Sequence, residues 1–217
     1  MDTHKRDSLS HISTGGKNGC YAPPNSGTMP VMDTALFYAV NHGLENPFFN
    51  IFMPLLSRYP NWIPIFLGIF GYFIYRDKKR GIFFFLLVVV AVTASDFICS
   101  GVLKKIFATP RPCLSLPDVH LLAGCSNSGS FPSSHAANSA AIATMLGLYD
   151  RRFWWFGIPA ALLVCISRLY LGVHYPSDVA GGALVGAAVA YGVMRLSGMA
   201  EKNRPLRNNV AAVFPIQ

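Results

Sequence analysis

The chain has 217 residues, 52% hydrophobic and only 13% charged, with a formal net charge of +8 and a mean hydropathy of +0.38. A soluble domain averages about 25% charged residues, so this composition excludes a disordered chain, disfavours a water-soluble monomer and fits an integral membrane bundle. The basic balance, 18 Lys+Arg against 10 Asp+Glu, suits nucleic acid or anionic lipid, and the apolar content selects lipid.

Residues 1–30 differ in composition from the rest. Ser8 to Thr28 is rich in Ser, Gly, Asn and Pro and has no apolar period, which predicts a flexible polar tail. No apolar run follows Lys5-Arg6, so this is not a secretory signal. Apolar runs begin at Asp33. The stretch 33–58 is interrupted by Asn41, His42, Glu45, Asn46 and Pro47, and a span needs about 20 mainly apolar residues. A broken, partly interfacial pair of helices is expected there.

Clearer runs follow at Trp62 to Tyr75, Gly81 to Lys104, Ala136 to Tyr149, Phe153 to Leu171 and Val179 to Leu196. Together they predict an all-α integral membrane bundle of about six helices over residues 31–198, followed by a cytoplasmic tail, 199–217. Arg76, Lys78, Lys79, Arg80, Arg151, Arg152 and the tail cations mark the cytoplasmic side by the positive-inside rule. Loops 105–134 and 172–177 therefore face outward. Gly182 and Gly186, four apart, and the alanines after 136 are expected to pack as neighbouring helices.

Costly polar residues gather at the outward ends of these runs. Lys104 closes one helix and Arg111 follows it; Ser133-Ser134-His135 opens the next; Arg168 ends another; His174 and Asp178 open the last. Ser133 reads as an N-cap, ahead of free N–H groups and a positive dipole end that suit phosphate. The guanidinium forks of Arg111 and Arg168 match phosphate oxygens, and Lys104 adds a point charge. Asp178 can fix the His174 tautomer and free its other nitrogen to attack, while His135 can protonate a leaving oxygen.

Lys104-x6-Arg111-Pro112, Pro132-Ser133-Ser134-His135 and Ser167-Arg168-x5-His174-x3-Asp178 together resemble the three-part signature of the type 2 phosphatidic acid phosphatase (PAP2) superfamily. That resemblance implies a metal-independent, cofactor-free lipid phosphatase whose site faces the outer side of the cytoplasmic membrane. His174 would be the nucleophile forming a phosphohistidine, supported by Asp178, and His135 the general acid. Lys104, Arg111, Ser133, Arg168 and the Ser134 N–H would hold the phosphate. Ser134 stands where the family pattern usually has Gly. The implied substrate is a membrane lipid phosphate or diphosphate, with the polyprenyl carrier preferred; nucleic acid is not an expected partner. Alternatives are a lipid phosphotransferase sharing the first step, and a non-enzymatic anion- or lipid-binding protein. A soluble vanadate haloperoxidase is disfavoured by the spans.

Three further features stand apart from the signature. Asp96, within a span, reads as a buried partner of another helix or a support for Lys104. Cys113 and Cys125 can form a disulfide across the outward loop, whereas Cys99 and Cys165 read as core residues. Lys105 reads as snorkelling to the headgroups.

Overall fold

The computed structural model describes residues 30–198, which contain helices and no strand. The tail readings for 1–29 and 199–217 fall outside the described residues. Seven helices longer than one turn follow in order: α1 (Val31–Asn41), α2 (Pro47–Ser57), α3 (Ile63–Arg76), α4 (Lys78–Asp96), α5 (Ser134–Tyr149), α6 (Trp154–Tyr170) and α7 (Pro176–Leu196). The stretch expected to be a broken pair is the pair α1–α2. Asn46 makes the break, its side chain capping α2 by accepting from the Phe49 N–H, with Pro47 at the first helical position.

By length and apolarity three helices can cross a bilayer alone: Lys78–Ser115, Arg151–Tyr170 and Pro176–Leu196. The shorter α3 and α5 complete the bundle. α5 is its axis, with Ala136, Ala137, Ala141, Met145 and Leu146 all buried. Small residues let α7 lie directly on it. A Cβ at Gly186 would stand 1.9 Å from the Ala137 carbonyl oxygen, and one at Gly182 2.3 Å from that of Ser133. The glycine pair therefore serves packing within the chain, the close approach that holds helices together where lipid offers no hydrophobic drive. Farther along, Phe70, Phe73, Phe84, Val88, Met145 and Met194 form one apolar core. Leu86, Val89, Val90 and Phe97 on α4, and Leu162 on α6, face outward as a lipid-contacting surface requires.

Helix direction separates the two ends of the bundle. α4 continues unbroken through a π-wound segment, Phe97–Leu103, into a last turn, Lys104–Phe107. Lys78 and Lys104 thus lie at opposite ends of one rod about 40 Å long. Arg151 and Arg152 precede α6, whose other end carries Arg168, and Arg195 ends α7, whose start carries Asp178. The basic clusters and the signature residues occupy opposite ends.

The α1–α2 pair does not cross the bundle. Asp33 accepts from the Ser177 N–H (2.9 Å) and hydroxyl (2.6 Å) at the start of α7. Asn41, fully buried, donates to the Tyr170 carbonyl at the end of α6 (2.9 Å) and to that of His120 (2.9 Å). Ser57 meets Arg168, and Tyr59 meets His135. All four contacts lie at the signature end, so α1 lies across that end, and among the described residues it is α3 to α7 that run between the two ends.

Candidate active site

The π-wound turn, the α4–α5 loop, the start of α5, the end of α6 and the α6–α7 loop enclose a cavity of about 950 Å³. Lys104, Arg111, Ser134, His135, Arg168 and His174 line it together. Segments 70 residues apart in the chain thus deliver their charges to one space. π-turns in α-helices recur where a side chain must be re-aimed, and this one ends at Lys104, whose Nζ donates to the Gly129 carbonyl (3.3 Å).

His174 lies buried in the α6–α7 loop. Its Nδ1 stands 3.4 Å from Asp178 Oδ2, the spacing expected for residues four apart. Its Nε2 stands 3.3 Å from Arg111 NH1. Since a guanidinium only donates and the carboxylate accepts, this network assigns the proton to Nδ1 and the lone pair to Nε2. Burial pushes the ring down from its ordinary 6.5 to about 4 against the opposing hydrogen bond it donates to Asp178, with Arg111 adding to the fall. At neutral pH the imidazole is therefore uncharged, with its Nε2 lone pair facing Arg111.

Asp178 has partners besides His174. Its Oδ2 also accepts from the Tyr175 N–H (2.8 Å) and from the hydroxyl of Ser130, which is itself 3.3 Å from His174 Nδ1. Ser130 is fully buried, and sequence reasoning missed it because a lone serine in a serine-rich loop carries no signal. Arg111 is pinned by donating to the Ser128 carbonyl (3.1 Å) and the Val173 carbonyl (3.1 Å). One residue beyond Pro112, the Cys113–Cys125 disulfide is formed, with Cα atoms 6.2 Å apart.

Ser133 departs from expectation. It occupies the N-cap position of α5, but its hydroxyl accepts from no helix N–H. The hydroxyl is buried without a partner, and the Ser133 N–H donates to the Asp178 carbonyl instead (2.9 Å). The physical consequence favours anion binding: the first-turn N–H groups are not consumed by a side-chain cap. Arg168 likewise keeps a buried Nε without a partner while its NH1 meets Ser57 Oγ. The Ser134 hydroxyl pairs with that of Ser100 on the π-turn (2.8 Å), so the side chain that replaces the usual Gly ties α5 to α4.

The remaining residues sort as follows. Lys105 is exposed at the cavity rim. Asp96 lies 3.5 Å from Asn138 Nδ2 on α5, the role of a partner for another helix. His135 borders a second space, an apolar groove of about 70 Å³ lined by residues that include Trp62, Phe66, Ile142, Leu146 and Phe156.

With this geometry in hand, four likenesses bear on the chain. The pattern described as "PAP2 superfamily" matches residues 65–202. A "Lipid A 4'-phosphatase" of Bacteroides thetaiotaomicron is 31% identical over 166 residues, covering 71% of this chain and 72% of that one. An "Undecaprenyl-diphosphatase" of Sulfolobus acidocaldarius is 32% identical over 178 residues, covering 79% and 80%. Among solved structures, LpxE of Aquifex aeolicus superposes with a TM-score of 0.64 at 27% identity, covering 76% of this chain and 96% of that chain.

Proposed function

The chain belongs to the PAP2 superfamily and is a multi-pass membrane lipid phosphatase, and we propose that it cleaves a polyprenyl diphosphate or related lipid phosphate through a phosphohistidine on His174. The observation that carries this reading is the convergence of Lys104, Arg111, His135, Arg168 and His174 on one cavity. In the first step the Nε2 lone pair of His174 attacks phosphorus. The bond from phosphorus to the leaving oxygen breaks, and imidazolium His135 gives that oxygen its proton.

Charge spread over the three equatorial oxygens meets Lys104, Arg111, Arg168 and the first-turn N–H groups of α5, the hydroxyl of Ser133 and the N–H of Ser134 among them. Asp178 steadies the positive charge that His174 acquires. In the second step water attacks phosphorus, neutral His135 takes a proton from it, the P–N bond breaks and inorganic phosphate departs. The leaving oxygen carries the lipid, which fits the place of His135 between the cavity and the apolar groove.

The positive-inside rule orients the basic end toward the cytoplasm, so the site opens at the outer leaflet of the cytoplasmic membrane. A lipid A phosphate is the second reading, favoured by the named activity of the Bacteroides relative.

Phosphate release from undecaprenyl diphosphate, lipid A, phosphatidylglycerophosphate and phosphatidate in detergent tests both. Release is expected from at least one, fastest from the diphosphate, and unchanged by EDTA because the cations already hold the phosphate. No release from any overturns the hydrolase. Transfer of label to an added acceptor lipid instead of water identifies a phosphotransferase.

A further inference from the structure

The short corner between α2 and α3, Ser57 to Tyr59, lies outside all three signature motifs and before the matched family region, yet it touches two site residues. The Tyr59 ring lies flat on the imidazole of His135, with centroids 4.4 Å apart and planes 18° apart. Tyr59, His135 and Asn138, the last one turn along α5 from His135, line one groove together, so the Tyr59 ring rests against that helix. The Ser57 main chain lies beside the His135 ring, while the Ser57 hydroxyl receives Arg168. One edge of the imidazole is thereby held at the corner while His135 also borders the 950 Å³ cavity.

We propose that Tyr59 is a positioning residue for His135, holding the imidazole by its stacked face so that a protonated nitrogen meets the leaving oxygen in the cavity. The inference rests on His135 acting as the general acid. The charged and titratable groups facing that ring from neighbouring elements are Arg168 on α6, Lys104 at the end of α4, and His174 in the α6–α7 loop. All three disfavour a further positive charge when protonated. Against them stand the π face of Tyr59, which attracts a cation laid over it, and the Ser57 main chain beside the ring. The corner thus supplies both the orientation and the local charge balance that a proton donor needs among cations.

The experiment compares two substrates with the same chain and different leaving groups. Farnesyl phosphate expels an alkoxide and depends on an acid; farnesyl diphosphate expels a phosphate monoester and depends on it far less. Tyr59→Ala should lower kcat on the monophosphate about ten- to a hundredfold. Its KM should stay within about twofold, and kcat on the diphosphate should fall less than about threefold, since binding and leaving-group activation are separate terms.

Tyr59→Phe keeps the ring and should stay within about twofold of the natural protein on both substrates. Should Tyr59→Ala fail to fold, Tyr59→Leu, which keeps bulk without a π face, gives the same comparison. Equal losses on both substrates, a loss carried by KM, or no loss overturns the inference. His135→Ala is assayed alongside. If it keeps full turnover of the monophosphate, the general-acid reading itself fails; if it is inactive while Tyr59→Ala is unimpaired, the Tyr59 inference fails alone.

Discussion

Residues 104–178 and residues 31–62 meet at one end of the molecule and contribute in opposite ways. The first region supplies the cations and imidazoles that line the cavity. The second supplies none of those, yet Asp33, Asn41, Ser57 and Tyr59 each grip an element that carries one. The matched family region begins only at residue 65. The reaction dictates residue types in the first region, because phosphate needs forked donors and the attack needs an imidazole. The second region works through side chains that hold helix ends, main-chain groups or another side chain, a task that many polar or aromatic residues can fill.

Variants that separate chemistry from scaffolding sharpen this contrast. His174→Ala has the largest expected effect: turnover falls by about a thousandfold or more and phosphoenzyme vanishes on a labelled-substrate gel, since the nucleophile is gone. The bundle should still elute as the natural protein does. Retained phosphoenzyme would move the nucleophile elsewhere.

The pH dependence is the next largest effect. Protonating His174 removes the attacking lone pair, and its folded-state value has been driven down to about 4 by burial. The acid limb of phosphoenzyme formation, followed by rapid quench, should therefore fall about tenfold per pH unit below about pH 4 and stay flat just above it. A limb near 6.5 would mean that the ring is solvated as it works.

Asp33→Ala probes the scaffold region directly. It strands the Ser177 N–H and hydroxyl, two donors at the start of α7 beside Asp178. Ser177 is itself exposed, so each lost bond is an ordinary one worth about 0.5–1.5 kcal/mol, expected as a lowered thermal midpoint in detergent. Turnover should fall about tenfold through looser placement of the Asp178–His174 pair. Unchanged stability and turnover would make α1 a passive cover.

Most of the site could be read from the chain because its residues sit at fixed short spacings at the ends of apolar runs. His174 and Asp178 are four apart at a helix start, and the 3.4 Å contact follows from that spacing. The bundle was legible for the same reason, since apolar run length sets helix length. Ser130 and Tyr59 were not, because each meets its partner across 44 and 76 residues of sequence with no local pattern. The Ser133 cap failed for a different reason: the residue type and position were right, but its N–H is held by the Asp178 carbonyl and its hydroxyl accepts from none of the helix N–H groups.

Asp96→Asn has the smallest expected effect and tests where the two regions join. Asp96 Oδ1 reaches Asn138 Nδ2, and Asn138 borders the same groove as Tyr59, which stacks on His135. The carboxylate thus acts through an amide and a ring, two residues removed from the reacting atoms. Asparagine keeps the shape and one acceptor oxygen, so the Asn138 contact can persist while the charge is lost. A two- to fivefold fall in kcat is expected, of the order of one ordinary hydrogen bond weakened rather than removed, or about 0.5–1 kcal/mol. KM should not move, because Asp96 is absent from the residues lining either space. Complete loss of turnover in a folded protein would instead put the carboxylate itself among the reacting groups. The boundary between signature and scaffold would then run along α4 rather than between α2 and α3.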